Sequence, residues 1–246
     1  FAHLGWDTLA NNEYVRQESI KRHWPSLAVT DPRWVPEQVE HALRQPGCVG
    51  AKPYYSMIRY NRFLTAGHIE ADIFDFLPHH QLEVLDTYAW VTLHVPKAER
   101  LGHPANIRQI REIRKRYPHV KLVIAHLGRC YTEKDAKDAI PKLADDDGLY
   151  WDCAAVLNPA VFKVAFRCIG PERVMWGTDN PVSLMRGRQQ YRGREYVNRT
   201  SHPFFFNKER EPANVEARYT LYVYEQLNAV KKVFTQLGLT EQQKEA

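Results

Sequence analysis

Apolar and polar positions along this chain follow two rhythms that take turns. Short apolar runs with period-two alternation mark strands at residues 1–6, 48–53, 90–94, 121–128, 149–155 and 174–181. Between them, apolar residues recur every three or four positions. Residues 35–43 carry Pro36 near the start and Gly47 past the end, the punctuation of a short helix. Helical spacing also runs over 72–89, 107–117 (with Ile107, Ile110 and Ile113 on one face), 134–143 and Pro159–Cys168, the last stopped by Gly170-Pro171. Strands that alternate with helices imply a parallel sheet, open or closed.

Three of these strands end in a residue able to bind metal or move a proton: His94, His126 and Asp179. His94 and His126 are 32 positions apart, and Asp179 follows 53 positions later. A (β/α)8 TIM barrel of about 250 residues spends about 30 on each strand-helix unit, so the histidines stand one unit apart and the aspartate two units further on. The C-terminal strand ends of such a barrel form one ring, which predicts that the three side chains share a mouth. If His94 points inward, period-two geometry turns Trp90 and Thr92 inward as well. Val91, Leu93 and Val95 then face the helices, as do Val123 and Ala125 beside His126.

Composition narrows the picture modestly. With 246 residues, 44% hydrophobic and 26% charged, the chain reads as a single barrel domain over 1–246. The net charge of +5 is spread along the whole length and marks no nucleic-acid surface. No apolar run is long enough to span a membrane. Cys48, Cys130, Cys153 and Cys168 form no Cys-x-x-Cys pair, and no secretory signal is visible, so the expected setting is cytoplasmic.

Two loops stand out. Residues 54–68 follow Lys52, and their tyrosines and arginines suit an anionic substrate, with Lys52, Tyr54 and Arg59 as the candidate contacts. Residues 186–212 read as an insertion or lid that leaves the barrel directly after Asp179. Its Arg188, Arg192 and Arg194 are candidates for a substrate carboxylate, and Phe204-Phe205-Phe206 needs a partner surface, either the mouth or a second subunit of a homo-oligomer.

The blocks Leu93-His94-Val95-Pro96, Val123-Ile124-Ala125-His126-Leu127-Gly128, Trp151-Asp152-Cys153-Ala154 and Gly170-Pro171-Glu172-Arg173-Val174-Met175-Trp176-Gly177-Thr178-Asp179-Asn180-Pro181 resemble the amidohydrolase-related TIM-barrel family. The likeness is to the branch that includes aminocarboxymuconate-semialdehyde decarboxylase. It implies that His94 is a metal ligand, that His126 is a ligand or the proton-handling group, and that Asp179 binds metal or activates water. The family's first strand ends in a His-x-His pair, which this sequence lacks. By the unit count the chain begins in the third strand, with two units absent and the final helix cut short.

A divalent ion, zinc or manganese, accepts imidazole and carboxylate ligands and lowers the pKa of bound water to about 7. The first expectation is therefore a metal-dependent hydrolase acting on a small, anionic, carboxylated or cyclic substrate. Non-oxidative decarboxylation is the alternative, followed by a metal-free lactonase and then by a non-enzymatic barrel subunit. Asp152 reads equally as a partner of the site and as a carboxylate satisfied by backbone. His3 is a weaker candidate from the first strand, and His79-His80 read as surface residues of a helix.

Overall fold

The computed structural model describes residues 7–58, 70–201 and 210–245. It divides into two compact units, Phe1–Ile124 and Ala125–Ala246. The expected strand at 1–6, with His3, lies outside the described residues, as do Arg59 and Phe204-Phe205-Phe206.

The first unit alternates as its sequence predicts, with additions. Helix α1 (Thr8–Arg22) precedes β1 (Ser26–Ala28), and neither is marked by a clear apolar pattern. Asp7 caps α1 by accepting from the amides of Leu9 and Ala10, and His23 ends it in the left-handed conformation. Then follow α2 (Pro36–Leu43), β2 (Cys48–Ala51), α3 (Ile73–Phe76), α4 (His79–Leu85), β3 (Trp90–Leu93), α5 (Pro104–Arg116) and β4 (Lys121–Ile124). The single helix expected over 72–89 is two short ones, because Pro78 has no amide to continue α3 and instead opens α4.

Strands β1 to β4 lie parallel and in chain order. Ala28 pairs with Ala51, Ala51 with Val91, and Val91 with Leu122, so one row crosses all four strands. Every member of that row is buried, together with Leu93 and Val95. Trp90, Thr92 and His94 alternate with them and stay half-buried. This is the facing that period two predicts.

In the second unit a single turn, α6 (His126–Arg129), leads to α7 (Glu133–Ala139), β5 (Tyr150–Asp152), α8 (Pro159–Cys168) and β6 (Val174–Met175). A hairpin of β7 (Gly187–Arg192) and β8 (Glu195–Thr200) follows, then α9 (Ala213–Glu216), α10 (Tyr222–Leu237) and α11 (Glu241–Glu245). β5 and β6 pair in parallel, with Asp152 opposite Met175. Among the described residues no helix is long and apolar enough to cross a membrane.

One glycine is dictated by close approach. A Cβ on Gly50 would lie 1.8 Å from the Trp90 carbonyl oxygen, directly across the β2–β3 ladder. Gly50→Ala should therefore cost about 3 kcal/mol or more in urea unfolding. Gly102→Ala, which meets nothing within 4 Å, should stay within about 0.5 kcal/mol. Equal midpoints for the two variants would contradict the packing described.

Candidate functional site

The first unit holds His94 one residue past β3 and Lys52 one residue past β2. The His94 ring packs 5.2 Å from the Tyr55 ring, and Tyr55 meets Phe76 edge-on. The Lys52 ammonium sits 5.5 Å over the Tyr54 ring, so two of the expected substrate contacts touch each other. Lys97, buried and left-handed, spends its ammonium on Asp72 and the Glu70 carbonyl, at 3.1 Å each.

The second unit places His126 and Asp179 in two distinct backbone settings. The strand expected over 121–128 stops at Ile124, because His126, Leu127, Gly128 and Arg129 all take positive φ. For a non-glycine residue the left-handed region costs roughly 1–2 kcal/mol, and such turns persist only where their surroundings hold them. The hold is visible at His126. Its amide donates to Asp152 Oδ1 at 2.9 Å, and its Nδ1 lies 2.8 Å from the Ala154 carbonyl oxygen. A carbonyl can only accept, so Nδ1 carries a proton, and Nε2 is the nitrogen that holds the lone pair whenever the ring is neutral. That is the tautomer of a base or a metal ligand.

Asp152 closes β5 and serves the backbone. Its Oδ1 accepts from the amides of His126 and Ala154, at 2.9 Å each, and stands 3.9 Å from His126 Nδ1. This carboxylate thus braces the backbone on both sides of the contact between His126 Nδ1 and the Ala154 carbonyl. Asp179 lies four residues past β6, half-buried and left-handed at φ 54°. Its carbonyl accepts from Val182 at 2.7 Å, which closes the turn through the cis Asn180-Pro181 bond.

Residues that the sequence did not single out complete the frame. The buried amide of Gln226 on α10 donates to the carbonyls of Cys153 at 2.7 Å and Gly177 at 3.0 Å. The hairpin is anchored at its tip, where Arg194 pairs with Asp135 and Asp138, and its Tyr196 ring lies 4.7 Å from Tyr131. Arg188 pairs with Glu211 at 2.7 Å. Two arginines expected to await a substrate carboxylate are thus engaged with carboxylates of the chain itself.

Among the described residues, no group of three or more His, Cys, Asp or Glu could hold a metal ion. The metal that the sequence resemblance implies is therefore not accounted for by the described residues.

Burial pushes the Cys153 thiol up from 9.0 to about 11, with hydrogen bonds from Gly177 and Gln226 opposing. A raised thiol pKa favours the native state below the unfolded value and loses that contribution as pH climbs through the native one. Between pH 9 and 11 the protein should therefore lose on the order of 2 kcal/mol that Cys153→Ala does not lose. Parallel urea-unfolding profiles for the two proteins across that window would contradict this.

The model of the Amidohydrolase family matches residues 10–196. An amidohydrolase from Burkholderia multivorans, solved with bound HEPES, is 12% identical with a TM-score of 0.59, covering 99% of this chain and 77% of its own. A structure named amidohydrolase II is 19% identical with a TM-score of 0.51, covering 72% and 65%. The 5-carboxyvanillate decarboxylase of Novosphingobium aromaticivorans, solved with manganese and 4-hydroxy-3-methoxy-5-nitrobenzoic acid, is 15% identical with a TM-score of 0.48, covering 71% and 60%. The chain spans 60–65% of the length of the first solved structures it matches. No curated protein matches it. Parallel strands alternating with helices, the strand-end histidines and a family match over three quarters of the sequence agree: the fold is of the (β/α)8 barrel class, and the chain belongs to the amidohydrolase family.

Proposed function

We propose that this chain carries proton-handling residues of an amidohydrolase-family enzyme acting on a small carboxylated substrate, with His126 and Asp179 as the reacting groups. The observation that carries the reading is the fixed ring of His126: buried and held at Nδ1 by the Ala154 carbonyl, so that Nε2 is the nitrogen able to gain and lose a proton.

Non-oxidative decarboxylation is placed ahead of hydrolysis, reversing the order suggested by the sequence. It asks less of the described residues, since no water has to be activated. The bond to the carboxylate breaks, CO2 leaves, and the electron pair remains on the substrate carbon. That carbon takes one proton, either from Nε2 of the doubly protonated His126 ring, which returns to its neutral Nδ1–H form, or from the carboxylic-acid form of Asp179, and solvent restores the proton lost. Hydrolysis uses the same two groups and adds a positioned water. His94, Lys52 and Tyr54 are proposed as further contacts from the first unit, and Arg59 is retained as a candidate. A divalent ion and a homo-oligomeric assembly remain proposals for the whole protein. The hairpin is proposed as a cover for the turn that bears His126, supported by the Tyr131–Tyr196 stack.

The test is kinetic, on full-length protein with small carboxylated aromatic acids, following CO2 release and metal content together. His126→Asn and Asp179→Asn should each lower kcat by about 10²–10⁴-fold with the circular dichroism spectrum unchanged. Wild-type kcat in either variant removes that residue from the chemistry. Hydrolysed product without CO2 would restore the hydrolase reading.

A further inference from the structure

Helix α10 turns a stripe of Tyr222, Gln226, Ala229 and Val233 into the interior. Three of these suit an apolar interface. A glutamine there is costly unless its amide finds partners, and Gln226 is only 1% exposed. Its two amide hydrogens match two carbonyl acceptors, Cys153 O at 2.7 Å and Gly177 O at 3.0 Å, and its nitrogen also lies 3.5 Å from Cys153 Sγ.

The Cys153–Ala154 peptide is thereby gripped at both ends. Gln226 takes its carbonyl oxygen, and Asp152 Oδ1 takes its N–H. The next carbonyl along, that of Ala154, holds His126 Nδ1. On the neighbouring strand, Gly177 is the second carbonyl held and stands two residues before Asp179. A Cβ on Gly177 would come within 3.1 Å of the Ala154 Cβ, so the two strand ends are packed closely.

We propose that Gln226 is a positioning residue for His126, acting by orienting the peptide that presents the Ala154 carbonyl to the ring. Its importance to catalysis rests on the reading of His126 as a proton-handling group; its effect on the ring does not. A methionine at 226 fills similar volume but takes the side-chain donor from the Gly177 carbonyl and leaves the Cys153 carbonyl with the Val156 amide alone at 3.1 Å, so the Cys153–Ala154 peptide loses the contact that ties it to α10.

The experiment is NMR on the ¹⁵N-labelled full chain. In the unmodified protein the His126 Nδ1–H should give a resolved resonance, and the Gln226 side-chain amide should exchange with D2O at least about tenfold more slowly than that of exposed Gln243. Gln226→Met should lose the His126 resonance. Val233→Ala, which opens a cavity on the same helix face, should lower the Tm and keep it. If Gln226→Met lowers the Tm but leaves the His126 resonance in place, the glutamine is packing alone and the proposal is overturned. Should Gln226→Met fail to fold, the unmodified protein decides: Gln226 amide protons exchanging as freely as those of Gln243 would overturn it. Full activity in His126→Asn would retire the functional reading and leave this NMR result standing on its own.

Discussion

Where parallel strands end, their last amides and carbonyls lose ladder partners while still close to the core, and each such group left unpaired is costly. Much of this molecule is an answer to that constraint. In the first unit Asn12 both accepts from the Val29 amide and donates to the Val29 carbonyl. Gln81 donates to the carbonyls of Asp31 and Trp34, Asn106 to those of Pro96 and Arg100, and Asp86 accepts from the amides of His119 and Val120. In the second unit Asp152 and Gln226 do the same for the ends of β5 and β6. Buried and half-buried amides and carboxylates are therefore the devices that hold the strand-end loops in shape.

Once those loops are held, they can carry backbone conformations that a free chain would leave. Non-glycine residues with positive φ follow four successive strands: Lys97 after β3, His126 after β4, Ala155 after β5 and Asp179 after β6. Two of these carry the proposed chemistry, and Ala155 adjoins the carbonyl that fixes one of them. Such residues concentrate where surrounding structure over-determines them. The hydrogen bonds to His126 and around Ala154 supply that determination in the second unit.

The alternation of strands and helices was legible because apolar periodicity is strong in α5, α8 and the central strands. His94 stands one residue past β3, but His126 lies two residues past β4 and Asp179 four past β6, because the strands read over 121–128 and 174–181 end early. Other elements were hidden for physical reasons. β1 is three residues long, too short for any period, and α1 buries only Ser19, so its sequence shows no stripe. In the β7–β8 hairpin, charged and amide side chains stand where apolar alternation would have marked a strand. Pro78 was a readable break that helical spacing over 72–89 overrode. Gln226 was the least visible, since a glutamine within a helix reads as a solvent-facing residue. Only its place on the stripe with Tyr222, Ala229 and Val233 gives it away.

Backbone contacts fix which ring nitrogen of His126 always carries a proton. A joint X-ray and neutron structure of the perdeuterated protein near neutral pH tests it most directly. A deuteron on His126 Nδ1 directed at the Ala154 carbonyl oxygen is the expected result. A deuteron on Nε2 above a bare Nδ1, or an Ala154 carbonyl turned away from the ring, would contradict it.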